Sequence, residues 1–388
     1  VSPPDRTAHP RPIGIFVHHQ GRGHAERAAD LANELSPLRK VTLFCARGDI
    51  FPALRPGVEL IVIPSLFEPP PEVPPNLAGV GTPETLHCAP LGWATITEAV
   101  AKLTGWMREA APALFVTDVS AEIGQLCRIA SVPHVAVLQH GDRSDPGHGA
   151  SYDGAVGLLA PYHPKLEQPD RPEAYREKTH YAPGIGISTA LPPKAEARRS
   201  LGIADNADLV VVVAGGGGTG TPTAPLTLGA RSEPATSWVV IGETQSEWHE
   251  TPPGNLQLLG WVDHAASWIA AADRLVTSCG NTTVHHCLAT GSPWVVVPEW
   301  RYFAEQHRKA EALAQAGVCA TRPVWPSHAG EWDTLWREAR GCNPAAGPAL
   351  LVKEPAAAAA AWLDRLATRL WQPAAPQTAQ TVQEPAAP

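Results

Sequence analysis

Two stretches of this chain share one construction, and together they restrict the fold more than any other feature. Near the start, Ile13-Gly-Ile-Phe-Val-His-His-Gln-Gly-Arg-Gly-His-Ala-Glu-Arg27 reads as a buried strand, a glycine turn and a helix. In the second half, Leu209-Val-Val-Val-Val-Ala-Gly-Gly-Gly-Gly-Thr219 repeats the apolar strand and the glycine run. Glycine lets backbone N–H groups approach phosphate oxygens closely, and a helix N-terminus adds partial positive charge. One such unit opening each half predicts an α/β chain of two Rossmann-like domains facing across a cleft. A cleft of that kind suits a ligand carrying phosphates.

The 388 residues are ample for two domains with their own cores. A formal net charge of −8 excludes a general nucleic-acid binder, which needs a basic stripe to displace counterions. The seven cysteines are scattered, with no CxxC pair, and read as reduced thiols of a cytoplasmic protein. The opening Val1-Ser-Pro-Pro-Asp-Arg lacks a secretory pattern, and no apolar run approaches the roughly 20 residues that span a bilayer. Stable membrane insertion is therefore not expected, and the chain is read as a monomer or homodimer.

Strand and helix patterns alternate along both halves, which predicts parallel sheets covered by helices. The domain expectations are a flexible N-terminus over 1–12, a first domain over 13–165 and a linker over 166–193. A second domain over 194–354, an alanine-rich helix over 355–371 and a disordered Pro/Ala/Gln tail over 372–388 follow. The proline-rich stretch from Phe67 to Gly92 reads as a long loop without regular elements. The loops Leu66–Trp93 and His140–His163 are the expected acceptor-binding region, and Trp93 and His140 are its candidate contacts.

The most specific segment runs from Gly260-Trp-Val-Asp263 to Gly317. Within it a strand ends at Ser278, a tight turn follows at Gly280, and a helix starts near Thr282. Thr282 and Thr283 bring hydroxyls and N–H groups to that helix start, a seat for a diphosphate. Glu305 and Gln306 follow the next strand and can hydrogen-bond sugar hydroxyls. The same residue types at a helix start also serve as ordinary caps.

The order of these blocks resembles the GT-B fold glycosyltransferases, specifically the inverting muropeptide N-acetylglucosaminyltransferase and UDP-glycosyltransferase type. Gly21-Arg-Gly-His-Ala-Glu-Arg27 resembles the first-domain turn, Ala214-Gly-Gly-Gly-Gly-Thr-Gly220 the donor-domain glycine loop, and Gly280 to Gln306 the nucleotide-sugar signature. The resemblance covers most of Ile13–Trp371. It implies transfer of a sugar from a UDP- or dTDP-sugar to a small-molecule acceptor, such as an antibiotic-like natural product. It also implies a C-terminal helix that crosses back to the first domain, and no metal or cofactor, the nucleotide-sugar being a substrate. The implied donor-binding residues are Gly215, Gly216, Gly217, Gly218, Thr219, Trp261, Val262, Ser278, Gly280, Asn281, Thr282, Thr283, His286, Glu305 and Gln306. On the acceptor side it implies Gly23, beside His140 and Trp93.

The chain departs from this pattern at one position. Where many such enzymes carry a glutamate that holds both ribose hydroxyls, counting back from Gly291-Ser-Pro293 gives His286. Histidine offers one hydrogen bond and no bidentate grip, which leaves UDP and dTDP both open as donors. For the base that takes the acceptor proton, His24 at the first helix start and Asp118 at the end of Leu114–Thr117 are the candidates, either of them acting directly or Asp118 orienting His24. Three other classes share parts of this architecture: a nucleotide-sugar 2-epimerase, an NADP-dependent oxidoreductase, and a non-catalytic nucleotide-sugar-binding protein. The oxidoreductase is disfavoured because Gly21-Arg-Gly-His-Ala-Glu26 lacks the third glycine of GxGxxG.

Overall fold

A computed structural model describes residues 10–187, 189–215, 220–246 and 251–373. The first half runs β1 (Ile13–Phe16), α1 (Arg22–Leu35), β2 (Val41–Cys45), β3 (Val58–Val62), α2 (Pro75–Ala78), α3 (Ala94–Ala110) and β4 (Leu114–Asp118). It continues through α4 (Ala121–Ile129), β5 (His134–Val137), α5 (Pro146–Gly154), β6 (Gly157–Ala160), α6 (Glu173–Glu177) and β7 (Thr179–Tyr181). The second half runs α7 (Lys194–Leu201), β8 (Leu209–Val213), β9 (Thr221–Pro222), α8 (Thr223–Ser232), β10 (Ser237–Ile241), β11 (Thr244–Gln245) and β12 (Leu256–Gly260). It ends with α9 (Ala265–Ala271), β13 (Arg274–Thr277), α10 (Asn281–Thr290), β14 (Trp294–Val296), α11 (Glu305–Gln315), β15 (Ala320–Thr321), α12 (Ala329–Gly341) and α13 (Pro355–Trp371).

The first sheet has seven strands in the order β3-β2-β1-β4-β5-β6-β7, and the second has six in the order β12-β10-β8-β13-β14-β15. Every pairing in both is parallel. Strands covered on both faces read as continuous apolar runs, as in Leu209–Val213, where all five residues are buried. In each sheet the chain moves outward on one side and then restarts on the other. The reversal falls between β1 and β4 in the first sheet and between β8 and β13 in the second. At such switch points the loops diverge and leave a crevice at the carboxyl ends of the strands. Register places Phe16 beside Thr117 and Val213 beside Thr277, so the crevices open past the ends of β1 and β8, shortly before Gly21 and Gly215.

Helix α13 returns to the first domain. Its Ala359, Ala360, Leu363, Leu366 and Ala367 share one buried cluster with Ala28, Leu31, Ala32 and Leu35 of α1. Alanine on both faces lets the helices approach closely. The helix is also tied electrostatically: Arg39 donates to Asp364 Oδ1 at 2.6 Å and to Thr368 Oγ1 at 2.6 Å. Trp371 Nε1 donates to the Ala113 carbonyl at 2.9 Å.

Two stretches differ from the sequence reading. The segment 166–193 is not a plain linker: it carries α6 and β7, and β7 is the edge strand of the first sheet. Short strands among prolines lack the length for a visible period, so pairing with β6 decides the outcome. The proline-rich loop holds one helical turn, Pro75–Ala78, with proline at its first position. There the missing N–H costs nothing and the fixed φ favours the helix. Residues 1–9 and 374–388, which include most of both expected terminal segments, lie outside the described residues.

Candidate active site between the two domains

The turn after β1 brings the first functional group into place. Gly21 takes φ 96°, a conformation that L side chains rarely adopt, and α1 starts at the next residue. His24 is thereby set on the first turn of α1, its side chain 19% exposed at the switch point. Asp118 ends the neighbouring strand β4, buried. His24 Nδ1 lies 3.0 Å from Asp118 Oδ2. Arg27, also buried, donates through Nη2 to Asp118 Oδ1 at 2.8 Å and Oδ2 at 3.0 Å. Burial opposes the Asp118 charge, but Arg27 and His24 outweigh it and hold the carboxyl well below its usual range. His18 stacks on Phe67 with ring centroids 4.3 Å apart. Burial, with the nearby His24, pushes its pKa down to about 4.

The second domain presents a complementary surface. Gly280 caps α10 with no side-chain hydrogen bond, which leaves the first helical N–H groups free of any side-chain cap. Beneath this helix start sits Lys309, buried, donating to the Cys279 carbonyl at 3.1 Å, Asn281 Oδ1 at 2.6 Å and Glu305 Oε1 at 3.4 Å. A buried ammonium under an open helix N-terminus makes a strong anion seat. Gly215 backs onto this seat: a Cβ there would lie 3.1 Å from Ser278 Oγ and 3.6 Å from Glu299 Oε1. Glu305 is half-buried. Burial raises its pKa, but Lys309, Arg143 and His24 lower it more, so the carboxylate stays ionised and feels His24 across the cleft.

The interdomain segment Ala182–Ile187 is wedged between the two site helices. Gly186, at φ 83°, brings its backbone so close to α1 that a Cβ would lie 2.7 Å from Arg27 N and Cα. Its N–H donates to Asp30 Oδ2 at 3.0 Å. A Cβ on Gly184 would lie 2.6 Å from His285 of α10. Between these elements lies a cavity of ≈ 630 Å³, counted with its open mouth, lined by Gly23, Arg27, Asn281, Thr282, His285 and Lys309 among others.

The expected residues therefore divide. His24, Asp118 and Gly23 meet at the first switch point, and Gly215, Ser278, Gly280, Asn281, Thr282 and Thr283 gather at the second. Trp261 stands 68% exposed just past β12, whereas Val262 packs against the second-domain core. Gly216, Gly217, Gly218 and Thr219 lie outside the described residues.

Three expected contacts have other partners, and a fourth does not line the cavity. Gln306 Oε1 accepts from the Cys279 and Glu299 N–H groups, at 3.1 and 2.8 Å, and so holds the two cleft loops together. His286 is buried, its Nε2 3.0 Å from the Thr189 carbonyl, while its neighbour His285 lines the cavity. Adjacent helical residues point about 100° apart, and packing selects which of the two faces the cleft. His140 is buried with Nε2 2.7 Å from the Leu166 carbonyl, its ring tilted at 41° against Tyr162, and burial pushes its pKa down to about 3. It lines the cavity from behind. Trp93 precedes α3 and is not among the cavity-lining residues.

Sequence reasoning missed Arg27, Lys309 and His285. Spacing held a signal for two of them: Arg27 follows His24 by one helical turn, and Lys309 follows Glu305 by one.

A further cluster was not legible in sequence. His87, Asp145 and His148 offer ligand-type atoms within 4.8 Å of one another beside Phe303. Arg143 Nη1 lies 2.8 Å from His148 Nε2. A guanidinium only donates, so Nε2 accepts and the proton sits on Nδ1, donated to Asp145 Oδ2 at 2.6 Å. In this state the three side chains clasp the long loop and α5 to the Phe303 loop. Asp142 N donates to the Phe303 carbonyl at 2.6 Å, and Phe303 and Ala304 are held at φ 59° and 51°. Strain of this kind persists only where surrounding contacts over-determine the backbone.

No family model matches the chain. One curated relative, an uncharacterised glycosyltransferase of Methanopyrus kandleri, is 32% identical over 133 residues, which is 34% of this chain and 38% of that protein. The match thus spans well under half of the relative's length. Among solved structures, UGT89C1 of Arabidopsis thaliana complexed with quercetin aligns at TM-score 0.64 and 15% identity, covering 93% of this chain and 99% of that one. Glycosyltransferase VinC in complex with dTDP aligns at TM-score 0.60 and 16% identity, covering 92% of this chain and all of that one. The chain has the GT-B fold: two Rossmann-like domains across a cleft, with a C-terminal helix crossing back. Among the described residues no helix is long and apolar enough to cross a membrane.

Proposed function

We propose that this protein is an inverting glycosyltransferase that moves a sugar from a UDP- or dTDP-sugar to a hydroxyl of a small acceptor. The observation that carries this reading is the opposition, across one cleft, of the His24–Asp118 pair and the Lys309-backed start of α10. The donor's diphosphate lies against the N–H groups of Asn281–Thr283, with Gly215 allowing close approach. Inversion needs the base and the leaving group on opposite faces of the anomeric carbon, and the two switch points supply that separation. His24 takes the acceptor hydroxyl proton on Nε2 while the acceptor oxygen bonds to the anomeric carbon. The bond from that carbon to the phosphate oxygen breaks, and the electron pair leaves with the nucleoside diphosphate. The helix dipole and Lys309 stabilise that charge.

The likeness to a protein solved with quercetin supports a flat, apolar acceptor, and the likeness to one solved with dTDP supports the donor class. Incubation with a panel of UDP- and dTDP-sugars and phenolic acceptors, with anomeric NMR of the product, tests the reading. A β-linked product from an α-linked donor is expected. Retained anomeric configuration, an epimerised nucleotide-sugar, or no consumption of any donor would overturn it.

A further inference from the structure

Arg27 creates a conflict that its geometry resolves. Its Nη2 lies 3.0 Å from His24 Nδ1, and that same ring nitrogen lies 3.0 Å from Asp118 Oδ2. A guanidinium has no acceptor, and an ionised carboxylate has no donor. Nδ1 cannot accept from Arg27 and donate to Asp118 at once. Asp118 is ionised and buried, and Arg27 already satisfies both of its oxygens from one side. The remaining lone pair at Oδ2 requires a proton, and Nδ1 is the group that faces it. The close Arg27–His24 approach is then a contact between two donors, tolerated because both point at the same carboxylate.

We infer that Arg27 is a positioning residue: it neutralises Asp118, so that Asp118 fixes His24 in the Nδ1–H tautomer without lending it a net negative charge. His24 is left with Nε2 as its acceptor nitrogen. The inference rests on the reading of His24 as the base. The other groups facing His24 are His18 from the turn after β1, with ring centroids 5.5 Å apart, and Glu305 from α11 across the cleft. Neither replaces Arg27. His18 is held neutral, and Glu305 is itself paired with Lys309. Arg27 is pinned in place by the Gly186 backbone packed on its own N and Cα.

The test reads the tautomer directly. Long-range 1H–15N spectra of the full chain labelled at histidine, at pH 7, separate the two ring nitrogens. The His24 signal is assigned by its loss in His24→Asn. The expected result is a protonated Nδ1 and an unprotonated Nε2. A protonated Nε2 with a bare Nδ1 would mean that Nδ1 accepts from Arg27, and would overturn the inference. In Arg27→Gln, which removes the charge at similar shape, the ratio of imidazolium to neutral imidazole at His24 at pH 7 should rise about tenfold. In Arg27→Lys, which keeps the charge, it should stay near the native level. An unchanged charge state in a folded Arg27→Gln would equally sink the proposal. Should Arg27→Gln fail to fold, the native tautomer and the lysine variant decide. None of these spectra depends on turnover, so a negative donor panel would remove the glycosyltransferase reading while leaving the tautomer result to stand.

Discussion

At the scale of single residues, the proposed chemistry turns on His24. His24→Ala is expected to lose about 10²- to 10⁴-fold in turnover while nucleotide affinity stays near native. Kinetics beside calorimetric titration of UDP check this, and near-full activity would remove His24 from the mechanism. The buried histidines make a separate prediction about pH. Burial pushes His140 to about 3 and His18, His134, His148 and His285 to about 4, each from 6.5. An unfolded chain takes up these protons as pH falls through 6.5, whereas the native state does not. Stability present above that pH is therefore lost progressively as pH falls to about 4, by up to about 1.4 kcal/mol per unit of depression at each site. Thermal melts across pH 4 to 8 should show the slope. His140→Phe should flatten it while lowering the melting temperature at pH 7, through the lost hydrogen bond to Leu166. A native melting temperature independent of pH across this window would refute the assignment of neutral buried imidazoles.

At the scale of elements, the crossing helix is the most exposed dependency. α13 contributes to the first-domain core from the far end of the chain, and Leu363 is fully buried at its centre. Leu363→Ala is expected to cost about 2–5 kcal/mol, because the cavity cannot collapse between two helices pinned by Arg39 and Trp371. Urea unfolding checks the figure, and a loss under 1 kcal/mol would show that α13 is not docked on α1. The wedge at Ala182–Ile187 acts on the same helix from the other side. Gly186→Ala places a methyl group 2.7 Å from Arg27 backbone atoms, so α1 must shift away from the cleft. Turnover should fall at least tenfold through displacement of His24. The secondary structure should remain native by circular dichroism, since neither sheet is touched.

At the scale of the whole molecule, one buried apolar cluster joins the two halves, with Leu138, Leu158 and Tyr162 on one side and Val284, Leu288 and Leu313 on the other, and polar contacts ring the cleft. The Phe303 loop reaches the 140–148 region, Arg308 pairs with Asp170, and Gly184 packs on His285. On the proposed reading, a nucleotide bound at α10 should stabilise the chain by mass action, by about 2.7 kcal/mol at a hundredfold excess over Kd. UDP and dTDP should raise the melting temperature alike, because His286 hydrogen-bonds Thr189 and leaves the 2′-hydroxyl without the usual carboxylate. His286→Glu should not create a UDP preference, since that position looks at a backbone carbonyl. A tenfold or greater preference for UDP in the native protein would show that another group holds the ribose.

The sequence by itself determined the alternation of strands and helices, the glycine turn at Gly21 and the helix start after Gly280, because each is written in a local pattern of burial, backbone freedom and capping. Tertiary structure alone decided what those turns deliver. Asp118 and Arg27 converge on His24 because β4 pairs with β1 across the switch point, a pairing that no local period records. Lys309 comes to lie under Cys279 for the same reason, through the neighbouring strands β13 and β14. His285 and not His286 faces the cavity because the segment before α7 packs on one side of α10. Short elements such as β7 and Pro75–Ala78 were illegible among prolines, since they exist only through partners already in place. Local physics chose the framework, and long-range packing chose which side chains share the cleft.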